Sequence, residues 1–235
     1  GHNAIERDLE RWLGASPRFG AFVAANRDKI RKKLRAAPDQ DSRRDVRAEL
    51  AVAFLFLLDR RTGLTFEPYV AGNRRGPDFA VTFRASTVFN VEVTRLRAGA
   101  ETRGPAVTGE TPSVSGADWA PKLATTMCAK LPQFPPGMAN ALALVAEGLN
   151  LRATDVADAA RLLKAAAERK DDGVFVRRGL RGRQEFHHLY PRLSAAIIIG
   201  GGDDAGRPLW LNKEAKHPLP AGVHALLESR GTLSP

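Results

Sequence analysis

At 235 residues with 43% hydrophobic content, the chain can bury one sizeable core and is short for two independent domains. Its 36 Lys and Arg against 26 Asp and Glu leave a net charge of +10 and a pI of about 10.3, which points to a polyanionic partner, nucleic acid before an anionic membrane. One cysteine, Cys128, excludes an internal disulfide and a cysteine-based zinc site, and the longest apolar run, Ala51–Leu58, falls far short of the ~20 residues that span a bilayer.

The first residues, GHNAIERDLERW, are charged and carry no apolar signal core, so a cytoplasmic protein is expected. Residues 4–36 predict two helices. Ile5, Leu9, Trp12 and Leu13 have helical spacing, Gly14–Pro17 interrupts it, and Phe19, Phe22, Val23, Ile30 and Leu34 form a second stripe. Arg27, Lys29, Arg31, Lys32, Lys33 and Arg35 fill the other faces and read as a solvated surface, with contact to phosphates as the functional alternative. Residues 1–37 are thus an N-terminal helical extension to an α/β domain over 38–235. After a break at Pro38–Asp41, Ser42-x-x-Asp45 looks like a capping box for a helix over Val46–Asp59. That helix is apolar almost all round and should be buried, with Glu49 as the exception and Asp45 one turn before it. Leu64–Val70 reads as a strand weakened by Pro68, which favours an edge or the strand end.

A basic loop, 72–77, carries Arg74 and Arg75 into the stretch RRGPDFAVTFRASTVFNVEVT. Phe79, Val81 and Phe83 alternate with Asp78, Ala80 and Thr82; Phe89, Val91 and Val93 alternate with Asn90, Glu92 and Thr94. Period-two alternation predicts two strands of a hairpin with Asp78 and Glu92 on its polar face. A turn centred near Ala85 would set Asp78 opposite Glu92. Directly opposed side chains have Cβ atoms roughly 4.5–5.5 Å apart, and two anionic carboxylates that close require a proton or a cation between them. A hard divalent ion such as Mg²⁺ suits oxygen donors of this kind.

Residues 97–118, rich in Gly, Pro, Ser and Thr, read as a flap or a segment that orders on binding. A helix over Trp119–Leu131, capped by Asp118 or Ser115, puts Leu123, Met127 and Leu131 on one face and Lys122, Thr126 and Lys130 on the next; Gln133 joins the latter if the helix passes Pro132. Ala139–Ala146 is a buried strand, 154–169 a helix capped by Asn150 or Thr154, 173–183 a basic Gly-rich stretch, Ser194–Ile199 a second buried strand, and Val223–Ser229 a terminal helix. His187-His188 lacks a metal-binding spacing, Gly200-Gly201-Gly202-Asp203 lacks the Gly-Lys ending of a phosphate loop, and Cys128 packs rather than reacts. The order of elements is an α/β pattern with a mixed sheet.

Glu49 on a core helix, Pro77-Asp78 entering one strand and Glu92-Val93-Thr94 on the next resemble the core of the PD-(D/E)XK, or restriction-endonuclease-like, nuclease superfamily over residues 42–147. The resemblance implies a restriction-endonuclease-like core, with a central mixed β-sheet flanked by helices. It implies Mg²⁺ or Mn²⁺ held by Asp78, Glu92 and the Val93 carbonyl, with Glu49 binding a second ion directly or through water, and phosphodiester hydrolysis in nucleic acid, DNA foremost. The chain departs from the motif at Thr94, where the family carries a lysine. Some members place that lysine on the following helix, which makes Lys130 the first candidate here and Lys122 the second. Arg74, Arg75, Thr94, Arg95 and Gln133 are the expected nucleic-acid contacts, and a homodimer would suit cutting both strands. The alternative is the same fold without catalysis, a nucleic-acid-binding module using Arg74, Arg75, the 97–118 stretch and the basic 177–183 segment. A third reading is a regulatory protein whose basic face only keeps it in solution.

Overall fold

Three short helices open the chain: α1 (Ala4–Ala15), α2 (Pro17–Ala25) and α3 (Arg27–Ala36). The computed structural model describes residues 4–69, 76–97, 118–201 and 209–228. Ser16 caps α2, its Oγ accepting the Phe19 N–H at 3.2 Å, and Pro17 occupies the first turn, where a missing N–H is harmless. The expected second helix is two, because Asn26 leaves helical geometry at φ −110°, ψ 16°. Helix α4 (Gln40–Leu57) begins earlier than the Ser42 capping box suggests. Pro38 holds Ala37 extended, and Asp39 is the cap, accepting the Ser42 N–H at 2.7 Å. Asp is as good an N-cap as Ser, so Ser42 and Asp45 fall inside the helix.

Six strands follow: β1 (Thr62–Phe66), β2 (Phe79–Phe83), β3 (Thr87–Arg95), β4 (Asn140–Leu149), β5 (Ala195–Gly201) and β6 (Leu209–Leu211). They lie side by side in sequence order. β1, β2 and β3 are antiparallel, β3, β4 and β5 are parallel, and β6 is antiparallel at the far edge. β1 is the other edge; it starts at Thr62 rather than Leu64 and ends at Phe66, so Pro68 lies past the strand end. β6, only three residues long, carries too little pattern to be anticipated. The parallel pairings need crossovers, supplied by α5 (Ala120–Lys130) and by α6 (Ala153–Glu168), α7 (Asp172–Val176) and α8 (Arg183–Leu189); α9 (Ala221–Glu228) closes the chain. α6 is capped at Arg152, not Asn150 or Thr154: the Asp155 carboxylate accepts the Arg152 N–H at 2.7 Å.

The strand alternation sorts the core into two layers. Phe79, Val81, Phe89, Val91, Ala143 and Ile197 pack on one face with α2, α4 and α9. Leu142, Leu144 and Ile198 pack on the other with α5, α6 and α8. The protein is therefore an α/β fold, a mixed open six-stranded sheet with helices on both faces. Trp12, Phe19, Phe22 and Ile30 of the first three helices are buried in the same layer as α4. Trp12 stacks on Phe54 with ring centroids 5.6 Å apart, and each such buried side chain stabilises the fold by roughly 1.5–3 kcal/mol. Arg18 fixes α2 in place by donating to the carbonyls of Leu57, Asp59 and Thr62, which satisfies acceptors at the C-terminal end of α4. Among the described residues no helix is long and apolar enough to cross a membrane.

Candidate active site

The hairpin sets the site. Its register pairs Phe79 with Val91, Ala80 with Asn90 and Phe83 with Thr87, so continuation of the ladder places Asp78 across from Glu92. The turn sits at 84–86, with Arg84 and Ala85 both at positive φ (51° and 60°), a strained pairing for residues other than Gly or Asn. Asp78 is tied down at the mouth of β2. Its Oδ2 accepts the Val93 N–H at 2.8 Å, and its carbonyl accepts the Glu67 N–H at 2.8 Å.

Glu92 is 2% exposed. It alternates with Val91 and Val93, which join the α4 layer, and so turns toward α5. Lys130, the last residue of α5, brings its Nζ to 2.6 Å from Glu92 Oε1. Beyond it the chain tightens into a 3₁₀ turn, Leu131–Gln133, rather than breaking at Pro132. With its amide nitrogen turned to the carboxylate, the orientation its neighbours require, Gln133 donates to Glu92 Oε1 at 2.8 Å and Oε2 at 3.2 Å.

Glu49 enters from the third turn of α4. Its Oε2 lies 2.5 Å from Lys33 Nζ, and the same ammonium stands 3.1 Å from Glu67 Oε1 and 3.6 Å from Asp78 Oδ1. A cleft of ≈ 310 Å³ is lined by Glu49, Asp78, Glu92, Val93, Thr94, Arg95 and Lys130, with Asp45 and Arg97 at its side. The expected residues Glu49, Asp78, Glu92, Val93, Thr94, Arg95 and Lys130 thus meet in one place.

Others do not. Lys122 lies over the Trp119 ring at 5.4 Å and is not part of the cleft wall; burial and Arg97 lower its pKa. Arg95 lines the cleft, but its guanidinium already holds Asp41 and, at 2.9 Å, Asp45, so its charge is largely answered within the fold. Arg97 pairs with the same two acids at 2.7 and 2.8 Å. Arg74, Arg75 and residues 98–117 of the expected flap lie outside the described residues.

Lys33 and Glu67 were not anticipated. The lysine was read as part of a solvated basic run, but it is half-buried, with its ammonium 4.9 Å from the centroid of the Phe66 ring. Lys29 and Lys33 are four apart and share a face of α3, but nothing in the spacing sets that face apart from Lys32 beside it. Lys29 anchors the pair by donating to the Phe66 carbonyl at 2.9 Å.

Four carboxylates therefore face two ammonium groups. Burial pushes the Glu92 carboxyl up to about 8, Asp78 adds to the push, and Lys130 opposes it. Burial also pushes Glu49 up to about 7, again with Asp78 raising and Lys33 lowering. For Lys33, burial is the largest influence and favours the neutral amine, yet Glu49, Asp78 and Glu67 together raise its pKa. The cluster is short of positive charge.

No protein-family model, curated protein or solved structure matches the chain.

The donor set is all oxygen and electron-rich, which fits a hard divalent cation. As the side chains stand, no group of three or more His, Cys, Asp or Glu among the described residues is disposed to hold a metal ion. An ammonium, that of Lys33, lies among Glu49, Glu67 and Asp78 instead.

Proposed function

We propose that this cleft is the active centre of a nuclease that hydrolyses phosphodiester bonds of nucleic acid, DNA foremost, with the help of Mg²⁺ or Mn²⁺, on a restriction-endonuclease-like core. The observation that carries the reading is the Lys130–Glu92 pair: a lysine arrives from α5 at the carboxylate whose own strand offers Thr94 where the motif has lysine. Asp78, Glu92 and the Val93 carbonyl would hold the ion, and Glu49, now engaged by Lys33, would be the ligand of a second one. When bound, the first would acidify a water and offset charge on the phosphate.

The chain's own groups have distinct tasks. The Val93 N–H fixes the Asp78 carboxylate, so one ligand is oriented before any ion arrives. Lys130 holds its ammonium at the cleft wall, where it offsets negative charge developing on the phosphate and orients the attacking water. Gln133 steadies Glu92 from the side. The net charge of +10 draws the polyanionic substrate in.

A second reading is a nucleic-acid-binding module without cleavage. It is favoured by Thr94 and by the engagement of Lys33 and Lys130 with carboxylates. Cleavage of plasmid, linear and single-stranded DNA with Mg²⁺ or Mn²⁺, beside Asp78→Ala and Glu92→Ala, decides between them. The nuclease cuts only with metal and stops in both variants. Activity that persists in both overturns the site, and salt-sensitive binding without any cleavage supports the module.

A further inference from the structure

Lys33 is held far more firmly than a surface lysine. Its side chain is 19% exposed. Its ammonium stands among carboxylates from three separate segments: it donates to Glu49 of α4 at 2.5 Å and lies 3.1 Å from Glu67, just after β1, and 3.6 Å from Asp78, just before β2. The Phe66 ring lies 4.9 Å from the ammonium and shields it on another side. Lys29, one turn earlier, ties α3 to the Phe66 carbonyl, and Arg18 ties the preceding helix to the end of α4 and to β1. The helix is thus fixed at both of its approaches, and the ammonium is delivered to one point.

That point is the space between Glu49 and Asp78. A divalent ion bridging those two carboxylates would have to occupy it. An ammonium is a compact cation that takes oxygen partners, and a lysine built into the fold occupies the position at every ion concentration. On the other side of Asp78, the Glu92 carboxylate takes hydrogen bonds from Lys130 of α5 and from Gln133 of the 3₁₀ turn after it, and both Asp78 and Glu92 line the cleft.

We infer that Lys33 is a tethered cation standing in for a second divalent ion, so that Glu49 and Asp78 are bridged by an ammonium and the cleft takes a single ion on the Asp78–Glu92 side. The inference rests on the proposal that the cleft binds metal at all. Lys33 is a positioning residue in this scheme: it sets where Glu49 and Asp78 stand and limits the ion count.

Counting bound Mn²⁺ per chain by equilibrium dialysis with electron paramagnetic resonance of the free ion tests it, on the full chain and on Lys33→Ala and Lys33→Arg. The wild type and Lys33→Arg should bind one ion, and Lys33→Ala, with the position vacated, two. Circular dichroism verifies the fold of each variant, and Lys33→Gln replaces Lys33→Ala with the same expectation if the smaller residue unfolds the protein. One ion in the neutral variant, or two in the wild type, overturns the inference and leaves the nuclease reading standing. No bound ion in any of the proteins overturns both.

Discussion

Lys130 Nζ stands 2.6 Å from Glu92 Oε1, an ion pair between the last residue of α5 and a strand carboxylate that is 2% exposed. Removing one member of such a pair leaves the other buried without its partner, which typically costs ~3–5 kcal/mol, whereas removing both charges costs far less. At about pH 9, above the raised Glu92 pKa of about 8, Lys130→Met should therefore lower stability by about 3 kcal/mol, and adding Glu92→Gln should restore most of that loss. Urea unfolding of the two single variants and the double provides the cycle. A double variant less stable than Lys130→Met would show that the pair does not carry the energy assigned to it.

The same carboxylates set how stability varies with pH. Burial and Asp78 raise Glu92 to about 8 and Glu49 to about 7, above the ordinary value of 4.5. A group with a raised folded pKa keeps its proton longer in the folded state than in the unfolded one. Its contribution is complete below about pH 4.5 and is lost as pH rises through 7 to 8. The melting temperature should fall between pH 5.5 and pH 8.5, and Glu49→Gln with Glu92→Gln should flatten that fall. Mg²⁺ binds the ionised form, so it should raise the melting temperature more at pH 8.5 than at pH 5.5. Thermal denaturation at both pH values, with and without Mg²⁺, checks the sign; a wild type more stable at pH 8.5 with no metal added contradicts it.

The hairpin was legible in the sequence because its information is local. Period-two alternation gave both strands, and the turn centre gave the register that sets Asp78 across from Glu92. Glu49 was legible as a lone charge among the buried positions of a helix, whereas Lys130 was one of two lysines on the polar face of α5 and was singled out through the family resemblance. Lys33 and Glu67 were not. Lys33 belongs to a run of basic residues, and only the docking of α3 against β1 distinguishes it from Arg31 or Lys32. Glu67 sits in a left-handed conformation (φ 46°) just past a strand end, where nothing in its neighbours marks it. The partners of Arg95 were not legible either: Asp41 and Asp45 reach it from the first turns of a helix whose start had been placed too late.

The exposed side of α3 is where the net charge becomes a surface. Arg31 and Arg35 of α3 and Arg43 of α4 line a groove of ≈ 430 Å³ together with Ile5, Glu6 and Leu34. All three arginines are exposed, so changing them should leave the fold intact. If the groove follows a nucleic-acid backbone, the triple variant Arg31→Glu, Arg35→Glu, Arg43→Glu should weaken binding at every sequence tested and reduce the slope of log affinity against log salt by roughly 2–3. Fluorescence anisotropy with a labelled duplex across a salt series measures both quantities. Unchanged affinity and slope would place the substrate elsewhere on the surface.

Thr94 offers the most direct test of how the site is built. It follows Glu92 by two residues on β3, shares its side of the strand, is half-buried and lines the cleft. A lysine there would reach the same carboxylate from the strand that Lys130 now reaches from α5. If the chemistry needs only an ammonium beside Glu92, its element of origin is immaterial. Lys130→Met should slow metal-dependent cleavage by about 10²-fold or more, as removal of a charge-stabilising donor generally does. Thr94→Lys placed in that background should recover at least tenfold of the loss, and it should also return part of the stability, because the buried carboxylate regains a partner. Single-turnover cleavage rates and urea midpoints for the two single variants and the double separate the effects. Recovery of stability without recovery of rate would mean that the ammonium must approach along α5, where it faces the phosphate as well as Glu92.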